Sequence, residues 1–219
     1  MTWVSENLAQ IGSLIVAHLA ITLPALVLSV AIAVPIGRIA QASGHGRNAL
    51  LGTTGLLYAI PSLPLLILIP VITGLPLRSE ATMILALTVY GVALLSRTAA
   101  DAFAAVPADV TSAALAMGLS APSRFLSVEL PLALPVLVAG TRVVAMSTIG
   151  LATIGALIGI PSLGSLFTDG FQRGIAAEIA TGVVLTLALA AAVDAALWAA
   201  GRLGQPWTRS RASRAEANA

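Results

Sequence analysis

The chain has 219 residues, of which 58% are hydrophobic and only 9% are charged, and its mean hydropathy is +0.99. A chain of this composition would not dissolve in water as a monomer, so the sequence predicts an integral membrane protein and excludes a soluble globular domain. The chain has eleven arginines, no lysine and nine acidic residues, so its net charge is +2. This small positive charge indicates membrane orientation rather than nucleic-acid binding.

Two missing residue types restrict the chemistry further. Without cysteine the chain forms no disulfide, iron–sulfur cluster or thiol nucleophile. Without lysine it has no phosphate-binding loop of the pattern G-x-x-x-x-G-K-[ST], so ATP hydrolysis, with its magnesium, is expected in a partner ATPase. We therefore expect neither a cofactor nor a metal in this chain.

The first predicted elements are a short extracytoplasmic segment, residues 1–13, and a membrane span. The segment has no basic start and is therefore unlike a cleavable signal. Residues 14–36 supply about 23 apolar positions, enough to cross a hydrocarbon core about 30 Å thick. His18, near the outer end, has no second His, Asp or Glu within a helical turn, which favours a packed or interfacial histidine over a proton carrier or ligand.

The second predicted span is rich in proline. It follows a basic loop with Arg38, His45 and Arg47, which the positive-inside rule places in the cytoplasm. Three prolines within residues 49–72 should bend or break the helix near Pro61, about halfway through the bilayer. Such a break either lines a substrate path or is a packing kink, and both interpretations stay open.

The third predicted span runs from about residue 81 to 97. Ser79 is placed to cap the helix, which should continue past the membrane to about residue 106. Arg97 and Asp101 are spaced i, i+4, as an ion pair on a solvated helix end would be.

A water-facing segment then interrupts the apolar pattern. Residues 109–135 have the sequence DVTSAALAMGLSAPSRFLSVELPLALP. It predicts two short helices about Gly118, the second capped by Ser120 with Pro122 in its first turn. We expect Gly118 to be the hinge of a compact cytoplasmic knob.

This knob resembles the EAA loop of permease subunits of binding-protein-dependent ABC importers. The motif is Glu-Ala-Ala, three residues, Gly, nine residues, Ile, any residue and Leu-Pro. The positions that fall on it are Ser112, Ala113, Ala114, Gly118, Val128, Leu130 and Pro131. Ser112 takes the place of the glutamate and Val128 that of the isoleucine. The resemblance implies that these residues form the ATPase-coupling site of a cytoplasmic loop, residues 107–131.

The fourth predicted span, residues 132–158, contains Arg142 about 15 Å inside the membrane. A charge at this depth is costly unless it is paired, and Asp194 of the fifth span is the nearest candidate by depth. This favours a structural pair, or an arginine bound by backbone carbonyls, over direct contact with substrate. GALIG, residues 155–159, fits the small-xxx-small pattern of close helix approach, where two permeases could meet.

The last predicted elements are an outer loop or re-entrant segment at residues 160–174, a fifth span at residues 175–200 and a cytoplasmic tail at residues 201–219. Eight of the eleven arginines then lie on the inner side of the membrane. This bias predicts five spans, with the N-terminus outside and the C-terminus inside.

The sequence on both sides of the knob extends the resemblance to most of the chain from Ile60 to Asp194. IPSLPLLILIP, VELPLALPVLVAGTR and STIGLATIGALIGIPSLGSLF are similar to permeases of the glycine betaine, carnitine and choline importers. The resemblance implies an all-α integral membrane protein of MetI-like architecture, with a permease domain at residues 14–200 in the plasma membrane. It implies as partners two ATPase subunits, a second permease copy or paralogue, an extracytoplasmic solute-binding protein and membrane lipid.

Two tyrosines offer a hypothesis for the solute path. Tyr58 and Tyr90 each lie about nine residues from a membrane surface, near the midplane, where tyrosine is unusual. Tyr58 precedes the predicted break at Pro61, and Ser62 follows it. An aromatic face attracts a quaternary ammonium group that cannot donate a normal hydrogen bond, so these four residues are predicted to line the path. The alternative is that the tyrosines fill gaps between helices.

Other functions remain to be weighed against an importer of glycine betaine or a related solute. The carried solute could be another small polar molecule such as an amino acid. An intramembrane enzyme would need a nucleophile with a base, paired carboxylates or a metal cluster, and His18, Arg142 and Asp194 do not compose one. A passive channel or membrane scaffold is opposed only by the EAA resemblance, and co-purification with an ATPase would separate these cases.

Overall fold

The computed structural model describes residues 2–42 and 44–205, and within them the chain is helical without any strand. The α-helices, in order, are α1 Thr2–Glu6, α2 Leu8–Gln41, α3 Gly44–Ala59, α4 Ser62–Thr73, α5 Glu80–Ala104, α6 Ala108–Ala116, α7 Ala121–Arg124, α8 Leu130–Ala152, α9 Ser165–Arg173 and α10 Ala176–Leu203. A π-helical turn, Phe125–Glu129, joins α7 to α8, and a 3-10 turn, Thr153–Ile158, follows α8. The all-α class is confirmed.

Long apolar helices account for the predicted spans. Within the part of the chain that the structure describes, four continuous helical stretches are long and apolar enough to cross a membrane: Leu8–Gln41, Glu80–Ala104, Ala121–Ile158 and Ala176–Leu203. The pair α3 and α4 is bent by 104° and, counted as one broken span, makes the fifth. The break lies at Ile60 and Pro61, so the predicted disruption at Pro61 is confirmed. α2 and α10 each have one arginine in the last turn, Arg38 and Arg202, and the charge rule predicts that these ends are cytoplasmic.

The centre of the bundle is the packing of α2 against α5. A Cβ on Gly91 of α5 would lie 2.1 Å from Ser29 Oγ, and one on Gly37 of α2 would lie 2.5 Å from Ala99 Cβ. Neither position has room for a side chain, so the two backbones approach closely. Larger buried residues pack beside this contact: Ile21, Leu66, Met83 and Leu87.

Helix boundaries differ from the predicted ones at both ends of the chain. The helix of the first span begins at Leu8 rather than Leu14, because a helix propagates beyond the apolar stretch into polar turns. Ser79 caps α5 as predicted, with its Oγ accepting the backbone N–H of Thr82 at 3.2 Å. The tail arginines counted as cytoplasmic, Arg209, Arg211 and Arg214, lie outside the described residues.

The knob differs from the prediction in its second half. Here α7 is only four residues long and passes through the π-helical turn into α8 without interruption, so no second helix stands apart from the fourth span. Ser120 precedes α7, but its side chain makes no capping hydrogen bond. The predicted Ser120 cap is therefore wrong. Pro122 does lie in the first turn of α7.

The GALIG segment lies in the 3-10 turn, which ends at Gly159 with φ +83°, and Gly155 within it lies close to Met83 of α5. Its contact with a second permease stays a prediction. The Arg97–Asp101 pair is wrong, because Asp101 pairs with Arg47 of α3 at 2.7 Å. Residues 160–174 contain the short helix α9, which a re-entrant segment allows and a plain loop does not. Its nine residues are too few to cross a membrane.

Candidate functional site

The coupling segment, defined as residues 108–124, turns sharply at Gly118. Gly118 has φ +79°, its N–H donates to Leu115 O at 2.9 Å, and the N–H of Leu119 donates to Ala114 O at 3.2 Å. These two bonds form a Schellman motif, in which a left-handed residue ends the helix. A side chain with a Cβ is strained in this conformation, so the backbone of the turn requires glycine.

The coupling segment exposes apolar side chains at the cytoplasmic end of the molecule. Ala114 is buried against the bundle, whereas Leu115 is 61% and Met117 74% exposed. Leu126 of the neighbouring π-helical turn is 63% exposed. These exposed apolar groups lie outside the predicted spans, where apolar surface is a candidate for contact with another protein. The motif positions Ser112 and Ala113 are also exposed here, and Val128, Leu130 and Pro131 are half-buried at the junction with α8.

A buried carboxylate connects the coupling segment with α2. Glu129, with a side chain only 6% exposed, accepts hydrogen bonds from Arg38 Nη2 at 3.1 Å and Arg124 Nε at 2.9 Å. Arg38 Nε also donates to its second oxygen. We call these three residues the Glu129 cluster. They line a cavity of about 370 Å³ between α2, α5 and α6, and Ser112 lines the same cavity.

Sequence reasoning missed the Glu129 cluster for a geometric reason. Arg124 and Glu129 are five residues apart and point in different directions on an α-helix. In the π-helical turn Leu130 N–H bonds to Phe125 O, an i→i−5 bond, and the wider turn brings positions five apart onto one face. The available signal was Glu129 itself, the carboxylate that directly precedes the Leu-Pro of the motif.

The proline break brings Tyr58 and Tyr90 together. Their ring centroids are 6.1 Å apart with the rings perpendicular. Ile60 would normally receive a helical hydrogen bond from residue 64, which is proline and has no N–H. The Tyr90 hydroxyl donates to this free Ile60 carbonyl instead. A hydrogen bond from α5 thereby stabilises the break.

The two tyrosines differ in exposure. Tyr90 is buried, whereas Tyr58 is 53% exposed and turns part of its ring away from the helices of this chain. The space between the pair and α8 is only about 10 Å³, too small for a solute. Pro61 and Ser62 form the start of α4 directly beside the pair. Any path past Tyr58 therefore runs along the outside of this chain rather than through it.

Arg142 is paired with Asp194, as depth counting suggested. Arg142 Nε lies 2.7 Å from Asp194 Oδ1, and Nη2 lies 2.6 Å from Oδ2. The two-bond geometry satisfies both carboxylate oxygens and joins α8 to α10. The guanidinium is thus used in a contact within the chain.

His18 is a packed histidine. It is fully buried, and its Nδ1 accepts the backbone N–H of Leu163 at 3.3 Å. This hydrogen bond connects the loop before α9 to α2. Among the described residues, no group of three His, Asp or Glu side chains is placed to hold a metal ion.

Comparisons with known proteins agree with this architecture. A family model described as "Binding-protein-dependent transport system inner membrane component" matches residues 33–204. The choline transport system permease protein OpuBB of Bacillus subtilis (strain 168) is 29% identical over 84% of this chain and 84% of its own length. The osmoprotectant import permease protein OsmW of Salmonella typhimurium is 27% identical over 86% and 89%.

Solved structures of other proteins have a similar fold. A chain of the MetNI methionine ABC transporter in an inward-facing conformation matches with a TM-score of 0.77 and 23% identity. The match covers 89% of this chain and 98% of that one.

Proposed function

This chain belongs to the binding-protein-dependent transport system inner membrane component family, and from that premise we propose that it carries a quaternary-ammonium compatible solute such as glycine betaine or choline. As a family member it is a multi-pass permease subunit of an ATP-driven importer, which operates with an ATPase and a solute-binding protein. The names of relatives that transport choline and osmoprotectants support the solute class.

The observation that carries the solute proposal is the half-exposed ring of Tyr58 at a proline break inside the membrane. A trimethylammonium group cannot donate a normal hydrogen bond, but an aromatic face attracts it by about 0.5–2 kcal/mol. Tyr90 supports this ring edge-on and is itself fixed by Ile60. In this proposal Tyr58, Tyr90, Pro61 and Ser62 form one wall of the path, and a second permease copy or paralogue forms the other.

Coupling to ATP hydrolysis is assigned to the coupling segment and its junction with α8. The exposed Leu115 and Met117 present an apolar surface to an ATPase subunit, and Gly118 gives that surface its shape. In the assembly we propose, two ATPases act on two permeases, and their closure pushes the coupling segments so that the spans rock between inward and outward access. The motif residues Ser112, Ala113, Ala114, Val128, Leu130 and Pro131 lie within or beside the moving part.

Uptake into proteoliposomes by the assembled complex tests the solute proposal. If the ring face binds the cation, Tyr58→Phe retains uptake of glycine betaine or choline, whereas Tyr58→Ala loses roughly 2- to 30-fold in affinity. Wild-type uptake by the Tyr58→Ala/Tyr90→Ala double variant would contradict the proposal. An uncharged solute of similar size, transported as well as glycine betaine by the unmodified complex, would contradict it too.

A further inference from the structure

The coupling segment is joined to the bundle by two covalent links and by the Glu129 cluster. Residues 105–107 connect it to α5, and the π-helical turn connects it to α8. The Glu129 cluster adds a link to α2, because Arg38 lies at the inner end of α2, 91 residues from Glu129 in sequence. Movement of the segment can therefore reach α2 directly as well as through its neighbours.

The geometry of the cluster makes this link stiff. Arg38 Nε and Nη2 each bind a different oxygen of Glu129, which fixes the planes of both groups relative to each other. Arg124 holds one of the same oxygens from the coupling-segment side. Because the carboxylate is buried, separating it from either arginine would leave a poorly solvated charge. The three side chains are thus expected to move together.

Ser112 does not supply a competing carboxylate. It occupies the position of the motif's glutamate and lines the same cavity as the cluster. Its hydroxyl donates to Ala108 O at 2.8 Å, within its own helix. In the part of this cavity that the structure describes, Glu129 is the acidic group available to the two arginines.

We propose that Glu129 is a positioning residue for transport, which transmits displacement of the coupling segment to α2 through Arg38. The inference rests on the proposed coupling role of the segment and adds the route by which its movement reaches the first span. Arg124 keeps the carboxylate attached to the segment, and Arg38 keeps it attached to α2. Cutting the Arg38 contact should therefore separate two movements that otherwise occur together.

Distances between spin labels test the route. The chain has no cysteine, so pairs of introduced cysteines label it specifically. All three label sites are exposed: Ala121 on the coupling segment, Ile39 on α2 and Leu157 as a reference. Ala121 is not one of the residues proposed to contact the ATPase. The Ala121–Leu157 and Ile39–Leu157 distances are measured in the complex with its ATPase, itself freed of reactive cysteines, with and without a non-hydrolysable ATP analogue.

In the unmodified background we expect both distances to change on addition of the nucleotide. In Arg38→Gln, where Glu129 keeps Arg124, the Ala121 change persists and the Ile39 change is reduced. Glu129→Gln gives the same result, and Glu129→Asp, which keeps the charge, restores part of the Ile39 change. Asp101→Asn is the matched control, because it removes an exposed ion pair on the same face without touching the cluster.

The outcomes separate the inference from the proposed function. A full Ile39 change in the assembled Arg38→Gln complex overturns the route through Glu129 while leaving the coupling role intact. An Ala121 distance that does not respond to nucleotide in the unmodified chain overturns the coupling role, and the inference with it. If Arg38→Gln fails to assemble, Glu129→Gln provides the same test, and a full Ile39 change in that assembled complex also overturns the route.

Discussion

The two places where the chain leaves the regular α-helix are stabilised by different chemistry. At the bend between α3 and α4, the neutral hydroxyl of Tyr90 bonds the free Ile60 carbonyl. At the start of α8, the π-helical turn is held by Glu129 between two guanidinium groups. An imperfectly paired charge costs far more in hydrocarbon than near water, whereas a neutral hydrogen bond is tolerated in both. We therefore expect depth in the membrane to decide which groups can stabilise an irregular backbone.

Proline alone does not decide where a span breaks. Pro61 and Pro64 lie at the bend, whereas Pro131 lies in the first turn of α8, within a continuous helical stretch. Other prolines lie inside described helices, Pro24 and Pro35 in α2, Pro70 in α4 and Pro135 in α8. A proline ring clashes with the carbonyl four residues before it, but a single clash of this kind is tolerated inside a helix. The bend coincides instead with two prolines three residues apart.

The largest effect on function, rather than on stability, is expected at the Gly118 turn of the coupling segment. Gly118→Val places a β-branched side chain at φ +79°, at a cost of about 1–2 kcal/mol, and should change the shape of the coupling segment. We expect normal membrane insertion and loss of ATPase stimulation by the loaded binding protein. Gly150→Val is the control, because Gly150 has open space around its Cβ position and no left-handed backbone. Normal stimulation in Gly118→Val would show that the turn does not matter.

The next effect concerns the ion pair of Arg142 and Asp194, which is predicted to lie deep in the membrane. It tests directly whether an imperfectly paired charge is costly at that depth. Arg142→Leu leaves the Asp194 carboxylate without its two-bond partner and should lower thermal stability and assembly at least as much as substrate affinity. The double variant Arg142→Leu/Asp194→Leu should recover stability, as measured by thermal unfolding in detergent. A stable Arg142→Leu complex that has lost only substrate binding would give the arginine a direct role in transport.

A smaller effect is expected at the break. Tyr90→Phe removes the donor to the Ile60 carbonyl, and a buried unsatisfied carbonyl costs about 1–3 kcal/mol. Tyr58→Phe is the matched control, since Tyr58 is half exposed and its ring contact with Tyr90 is kept. Unfolding by denaturant should separate the two variants. Equal stability would mean that the break does not depend on this hydroxyl.

The smallest effect is expected for an ion pair near water. Arg47 and Asp101 are both largely exposed, so Asp101→Asn should change the free energy of unfolding by no more than about 1 kcal/mol, and less at high salt. The effect of Arg38→Gln, measured in parallel, should depend less on salt, because its partner Glu129 is buried and a buried pair is screened less. An equally strong salt dependence at both sites would contradict the contrast between them.

Local signals were enough to predict much of the fold from the sequence. The length of the apolar stretches predicted the spans, Pro61 predicted the break and Gly118 predicted the turn. Each of these signals acts on the local backbone or within a single helix. Counting residues inward from the ends of the fourth and fifth spans also paired Arg142 with Asp194. Residues at similar distances from the membrane surface can meet across two neighbouring helices. Each of these features needs one coordinate only, the distance along a helix.

The features that sequence reasoning missed depend on the direction in which a side chain points around its helix, or on residues far apart in sequence. The Glu129 cluster needs a π-helical turn and an arginine on another span, neither of which leaves a periodic signal. The bond from Tyr90 to Ile60 required the relative height of two helices to within a turn. The Arg97–Asp101 expectation was wrong because Arg47, from another helix, reaches the same carboxylate.

α2 is held against α5 at two close contacts, Ser29 with Gly91 and Gly37 with Ala99. The contacts lie eight residues apart, or about 12 Å along the helix, so they fix the tilt of α2 as well as its position. Arg38 directly follows Gly37 in α2, and Tyr90 directly precedes Gly91 in α5. The two helices are therefore expected to move as one rigid pair, and a force on the inner end of α2 then bears on α5 beside the residue that holds the broken span.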